Sequence, residues 1–304
     1  MSTAAFWTFN DNGRMNGIQV YRDWDSDWDM IVPGNFGGGN QTDLLLYKKS
    51  GTGLFVSTEG KAQINTIKEH NDWDKNWDMI IPGNFGGGNN TDLLFYRRST
   101  GTALFARTDG MGNIPTVKQH NNWDKDWDII ITGHFSPSPY SDLLFYKRSS
   151  GEMLFASTNG NGDVSTFQRY TDQSRNWRLI VPGNFGGNIF TDLLFYGTTW
   201  SPATGWSGTG IFWTTDGSGI GERLKEHRWS ARWSAIIPVE VGLGPLTDLY
   251  FYNRTAGGDS VGASDGHGNI ITLYHNDFVG PNDQIVPGNF GGGSGHTDLL
   301  YYRK

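Results

Sequence analysis

A unit of about fifty residues recurs six times along this 304-residue chain. Its clearest copy reads Trp77-Asp78-Met79-Ile80-Ile81-Pro82-Gly83-Asn84-Phe85-Gly86, followed by Thr91-Asp92-Leu93-Leu94-Phe95-Tyr96. The Thr/Ser-Asp-Leu element restarts at Thr42, Thr91, Ser141, Thr191, Thr247 and Thr297, at spacings of 49, 50, 50, 56 and 50 residues. A fixed period in this range marks a solenoid, a propeller or another repeat array, and any site built into one unit is then offered up to six times.

The distribution of half-units distinguishes a ring from an open array. The sixth unit stops at Lys304, directly after Thr297-Asp298-Leu299-Leu300-Tyr301-Tyr302, without its second half. Near the other end, Phe6-Trp7-Thr8 matches Phe212-Trp213-Thr214 of the fourth unit. Counted from Thr297 through the last residue and on from the first to Thr42, the gap is 49 residues, one further period. An open solenoid needs atypical capping ends and has no reason to divide a unit this way, whereas a ring closed by its own N-terminal strands leaves no free sheet edge. The expectation is an all-β, six-bladed β-propeller of four-stranded antiparallel blades, one domain over residues 1–304, with residues 1–22 completing the blade begun at 282–304.

Within a unit, short apolar runs bounded by Gly, Asn and Asp clusters predict four strands, at 79–85, 92–97, 103–108 and roughly 114–120. The first two are apolar on both alternating faces, as in a sheet covered on both sides. An up-and-down blade then puts the Gly-rich loop (86–90) and the turn at Thr108-Asp109-Gly110 on one face. The second-to-third connection (97–102) and the interblade linker (121–126) fall on the other.

Composition narrows the function classes. A net charge of −7, with the basic residues spread through the repeats, argues against a nucleic-acid partner. No run of eighteen apolar residues exists, so no membrane insertion is expected. The start, Met1 to Trp7, lacks a basic stretch followed by an apolar one; synthesis in the cytoplasm without a classical signal peptide is expected, with release by another route left open. The absence of Cys removes disulfides and thiolate metal sites.

The aromatic residues form two series. Trp28, Trp77, Trp127, Trp177 and Trp233 open the first strand of their units, and Asn282 takes that place in the sixth; a buried strand start makes them core. Four residues earlier stand Trp24, Trp73, Trp123 and Trp229, with Gln173 and Phe278 at the other two positions. A large aromatic in a polar linker either wedges between blades or offers its face to a ligand. The linker is preceded by Tyr21, His70, His120, Tyr170 and His275, with His227 displaced by one residue. On the same face lie Lys48/Lys49, Arg97/Arg98, Lys147/Arg148, Arg254 and Arg303. Aromatic faces suit the C–H face of a sugar and Arg, Asn, Asp or His its hydroxyls, and repeating a weak site around a ring gains avidity. Trp24, Trp73, Trp123, Trp229, Tyr21, His70, His120, Arg97, Arg98 and Arg148 are therefore the candidate sugar-binding residues. The fourth unit carries a longer loop, 197–210, with Trp200 and Trp206 on this face.

Phe-Gly followed by Asp-Leu resembles the calcium-binding FG-GAP repeats of integrin-like propellers. In Asn84-Phe85-Gly86-Gly87-Gly88-Asn89-Asn90-Thr91-Asp92, however, only the last residue is acidic where such a loop needs several carboxylates. No metal and no cofactor are expected; Asp92 is read as a cap on backbone amides of the turn.

The compound motif, Trp-x-x-Ile-x-Pro-Gly-Asn-Phe-Gly-Gly followed by Thr-Asp-Leu-Leu-Phe-Tyr, Gly, Phe and Thr-Asp-Gly, resembles over essentially the whole chain that of the Photorhabdus-type β-propeller lectins. The resemblance implies a disc-shaped lectin with pockets between blades, a preference for fucose and related, including O-methylated, sugars, and a role in host recognition. Two departures stand out: that family has seven blades, and here blades four to six drift, with Gln173, Pro238-Val239-Glu240-Val241 and Asn282 breaking the pattern. Fewer working sites than blades are expected. A glycosidase would need a carboxylate pair that breaks the repeat symmetry, and none stands out; no nucleophile elbow is present. The reading is a non-enzymatic, multivalent lectin for glycans or glycoconjugates, homo-oligomerisation left open, with a protein-binding propeller scaffold as the alternative.

Overall fold

A computed structural model describes residues 2–304 apart from 38, 87, 187, 243, 256–257, 277–280 and 294. Its described residues form 24 strands and no helix. Two N-terminal strands, β1 (Thr3–Phe9) and β2 (Met15–Arg22), precede the first complete blade. Blade one holds β3 (Met30–Gly34), β4 (Asp43–Lys48), β5 (Thr52–Glu59) and β6 (Gln63–His70). Blade two holds β7 (Met79–Gly83), β8 (Asp92–Arg97), β9 (Thr102–Ala106) and β10 (Thr116–His120). Blade three holds β11 (Ile129–Gly133), β12 (Asp142–Lys147), β13 (Glu152–Thr158) and β14 (Val164–Tyr170). Blade four holds β15 (Trp177–Gly183), β16 (Asp192–Ser201), β17 (Gly205–Thr215) and β18 (Gly221–Trp229). Blade five holds β19 (Ala235–Val239), β20 (Asp248–Tyr252), β21 (Asp259–Ser264) and β22 (Ile270–Asn276). The sixth sheet runs β2-β1-β24-β23, with β23 (Gln284–Gly288) and β24 (Asp298–Arg303), so the N-terminal strands complete the last blade as the divided unit predicted. The first strands of successive blades lie side by side around the ring, and β23 meets β3 to close it.

The predicted strands are found with trimmed ends. The first stops at Gly83, and the fourth begins at Thr116 because Pro115 has no N–H to give the ladder. A bulge recurs between the third and fourth strands, at Phe55/Val56, Phe155/Ala156 and Phe212/Trp213, and turns the outer strand against the neighbouring blade. The second strands are buried on both faces, from Asp92 to Tyr96 in β8, because each is sandwiched between neighbouring blades. The core is accordingly six clusters at blade boundaries; one joins Leu94 and Tyr96 of blade two to Trp127, Leu143 and Phe145 of blade three.

The repeated polar residues hold this arrangement together. Asp92 is 3% exposed, accepting from the Phe85 N–H at 3.0 Å through Oδ2 and from the Thr108 N–H at 3.2 Å through Oδ1. Asp43 and Asp192 do the same for Phe36 and Thr58 and for Phe185 and Thr215. The Asp therefore caps turn amides, as read from the sequence. The residue before it ties blades together: Asn35 N–H donates to Thr91 Oγ1 at 2.8 Å, and Thr91 N–H returns a bond to Asn35 O at 2.9 Å. The same reciprocal clasp joins Asn84 to Ser141, His134 to Thr191, Asn184 to Thr247 and Glu240 to Thr297, and Asn289 to Thr42 across the closing seam.

Candidate functional site

The linker face is built around the Tyr that recurs in each second strand. Tyr47 donates to Asp74 O at 3.0 Å, Tyr96 to Asp124 O at 2.5 Å and Tyr302 to Asp25 O at 2.8 Å, pinning the interblade linkers. Burial pushes the phenols of Tyr96 and Tyr302 up to about 12, so they remain neutral donors at physiological pH. The strand-opening Trp residues are core: Trp28, Trp77, Trp127 and Trp177 are between 3% and 9% exposed. In blades one to three a cation covers them, with Lys48, Arg97 and Lys147 lying 4.7, 4.4 and 4.7 Å from the ring centres.

Each linker Trp is half-buried and wedged between the blade it follows and the next. Trp73 is ringed by Tyr47, Phe55, His70 and Phe95 at centroid distances of 5.3 to 6.2 Å, and Trp123 by Tyr96, Phe105, His120 and Phe145 at 5.2 to 6.3 Å. Trp24 packs edge-on against Tyr302, and Trp229 stacks on His227. The wedge needs a small residue beneath it: a Cβ on Gly53 would stand 2.6 Å from the Trp73 ring, and one on Gly210 2.4 Å from Trp229. Blade three, whose linker carries Gln173 instead, has the buried Met153 at the place of Gly53 and Ala103.

The polar candidates already have partners inside the molecule. The His70 and His120 rings each bond the carbonyl of the next blade's outer turn, Gly112 and Gly162, at 2.7 Å, and Tyr21 donates to Ala62 O at 3.0 Å. Arg97 donates to Lys75 O at 2.8 Å and reaches Asp74. Arg98 donates to Trp127 O and Asp128 O across the boundary, while Arg148 reaches Trp177 O and Asp128. The structure thus gathers Trp73 with His70 and Arg97, and Trp123 with His120, around two linkers, but as interblade ties. Phe278 lies outside the described residues.

Repeated concave surface lies on the opposite, Gly-rich face. At the boundary of blades one and two, Pro33 and Pro82 flank a cleft of about 440 Å³ rimmed by Asn84, Asn89, Asn90 and Thr91. At the boundary of blades six and one, Pro287 and Pro33 flank a cleft of about 440 Å³ rimmed by Asn35, Asn40, Gln41 and Thr42. A third, about 330 Å³, lies between blades three and four, lined by Pro182, Asn184, Ile189 and Phe190 among others. A wider opening of about 700 Å³ spans blades five, six and one and includes Glu240 and His296. Each of the two matched clefts offers proline C–H surface with carboxamide and hydroxyl groups around it. The sequence held their signal, Pro-Gly-Asn beside Gly-Asn-Asn-Thr, but the pairing becomes visible only when one unit's strand end is set beside the next unit's loop.

Among the described residues no group of three or more His, Asp or Glu could hold a metal ion. The Asp carboxylates that end the Gly-rich loops point inward to backbone amides. Burial outweighs those amides and lifts the carboxyls of Asp43, Asp92, Asp142 and Asp192 above the ordinary value. No family model matches the chain, and no curated protein sequence matches it.

Proposed function

We propose that the protein is a non-enzymatic, multivalent carbohydrate-binding propeller whose repeated subsites are the interblade clefts of the Gly-rich face. The observation that carries this reading is the recurrence of one cleft, of the same volume and residue types, at two adjacent boundaries. A shallow site with an apolar floor and a rim of amides fits one sugar weakly, and a ring of such sites fits a glycan-coated surface by avidity. The motif's resemblance to the Photorhabdus-type lectins favours fucose and O-methylated sugars, whose methyl groups would lie against proline. The linker Trp residues are the second place to look, since each is half-buried rather than buried.

Calorimetric titration with methyl α-L-fucoside, with and without EDTA, tests the proposal. Saturable binding of several equivalents per chain, unchanged by EDTA and reduced by one equivalent in Asn89→Ala, supports it. The same loss in Trp123→Ala instead would move the subsites to the linker face. Silence with fucoside and across a glycan array would favour the protein-binding scaffold, for which the exposed Trp200 and Trp206 are the natural contact.

A further inference from the structure

The linker face carries a cleft whose lining differs from that of the Gly-rich clefts described above, and the sequence breaks repeat symmetry where it lies. In blade four the hairpin of β16 and β17 is lengthened to 10 and 11 residues, against 6 and 5 in blade two. Its tip places Trp200 directly opposite Trp206 across the strand pair, 59% and 67% exposed. Below this tip is a cleft of about 930 Å³ lined by Trp206, the linker Trp229, Thr198, Ser230, Arg178 and Arg232, among others.

Arg178 reverses a charge, and Arg232 places a cation where other blades carry Asp or Asn. Arg178 follows the strand-opening Trp, where the units of blades one, two, three and six carry Asp29, Asp78, Asp128 and Asp283. Those carboxylates accept the N–H of Lys49, Arg98, Arg148 and Lys304. Arg232 precedes the strand-opening Trp, where blades one to four carry Asp27, Asn76, Asp126 and Asn176. Ser230 likewise replaces Asp25, Asp74 and Asp124. Thr198 and Ala231 in turn replace cations, Arg98 and Lys125 at the boundary of blades two and three and Arg148 and Arg175 at the next. The cleft has therefore exchanged a mixed set of charges for two arginines and contains no carboxylate in its lining. Arg97, Arg98, Arg148 and Arg254 are all tied to carbonyls or carboxylates on this face. The guanidinium groups of Arg178 and Arg232, by contrast, have no hydrogen-bond or ion-pair partner among the described residues.

We propose that this cleft is a single binding site for an anionic pyranose, a sugar bearing a carboxylate or a sulfate. The arginines take the anion, an indole face takes the ring's C–H side, and Thr198 and Ser230 take hydroxyls. In a chain of net charge −7 a carboxylate-free cleft with two free cations is a local reversal of field, which selects for an anion rather than a neutral sugar. The inference extends the carbohydrate reading to a second, non-repeated site, and it stands on different residues from the Gly-rich clefts.

The test is a titration of the full chain at low salt with methyl β-D-glucuronide, methyl β-D-glucoside and glucose 6-sulfate, alongside methyl α-L-fucoside. The expected result is one equivalent of an acidic sugar bound at least tenfold more tightly than the glucoside, weakening as salt is raised. Preference between glucuronide and 6-sulfate assigns the anion. The variant Arg178→Asp/Arg232→Asp, which restores residues that other blades use, should abolish this binding and leave any fucoside binding unchanged. Trp206→Ala, at an exposed hairpin tip, should weaken it without loss of fold. Equal binding of glucuronide and glucoside, or acid binding that survives the double variant, overturns the proposal. Fucoside binding without acid binding overturns this site alone. Acid binding without fucoside binding leaves this site standing and overturns the repeated-cleft reading.

Discussion

The boundary between blades two and three and the boundary between blades five and six occupy equivalent places in the ring, yet they are sealed by different chemistry. At the first, Trp127, Phe145, Trp123 and Leu94 meet in an aromatic wedge, and Arg98 crosses over to cap the carbonyls of Trp127 and Asp128. At the second, Asn282 replaces the opening Trp, Tyr250 stands for Leu94, Tyr301 for Phe145, and Asp259 for Ala103. Tyr301 donates to the Tyr250 hydroxyl at 2.6 Å and Tyr250 to Asp259 Oδ2 at 2.7 Å, inside the cluster formed by Val239, Val261 and Leu299. Burial pushes both phenols far above their usual range, so they remain neutral donors. One boundary is closed by packing and the other by a directional hydrogen-bonded chain. The fold needs the volume filled and the great majority of buried polar groups answered, but it does not dictate how.

Truncating the wedge should have the largest effect. Trp127→Ala is expected to cost about 3–5 kcal/mol in chemical denaturation, from lost burial plus a cavity. A loss below about 1 kcal/mol would mean that the boundary repacks freely and the contrast is empty. Next comes the device shared by both boundaries: Asp142→Ala and Asp298→Ala should each cost about 1–3 kcal/mol, since each strands a buried Phe N–H. At the polar boundary, Asp259→Ala should cost about 1–3 kcal/mol by leaving the Tyr250 hydroxyl without its acceptor. The triple change Tyr250→Leu/Asp259→Ala/Tyr301→Phe, which copies the blade two–three pattern, should recover most of that loss. Failure of the triple variant to exceed the single one would show that the hydrogen-bonded chain itself is required.

The smallest effect is on pH. Asp109, Asp216 and Asp265 sit in third-to-fourth-strand turns below their usual value because Asn113, Ser218 and Asn269 side chains donate to them; Asp265 lies at about 2. Their contribution is present above the unfolded value near 3.8 and is lost as pH falls through the lowered one. The buried Asp43, Asp92, Asp142 and Asp192 are raised, so their contribution is full below the unfolded value and declines as pH rises through the folded one. The thermal midpoint should therefore hold or rise slightly from neutral pH to about pH 4, then drop in stronger acid, with a shallower acid limb in Asp265→Ala. A steady fall beginning near neutrality would contradict this balance.

The ring, its four-stranded blades, the N-terminal closure and the capping role of Asp92 were legible because each leaves a mark at fixed spacing within one unit. The interblade devices were not. Thr91 was visible as a repeated residue, but its clasp to Asn35 joins strand ends 56 residues apart and needs the blades in place. His70 and His120 sit at the ends of their strands in sequence, yet the bulged, twisted outer strand swings them onto the next blade's turn. Arg178 and Arg232 stood in plain view as departures from Asp and Asn, but they are 54 residues apart, and only the fold brings them to one cleft.

The most direct test of the lectin account is a crystal structure of the protein soaked with methyl α-L-fucoside. The account predicts sugar in the clefts of the Gly-rich face, against Pro33 and Pro82 beside Asn89, and against Pro287 beside Gln41. Sugar found only on the linker Trp residues, or in no cleft at concentrations that saturate the calorimetric response, would contradict it.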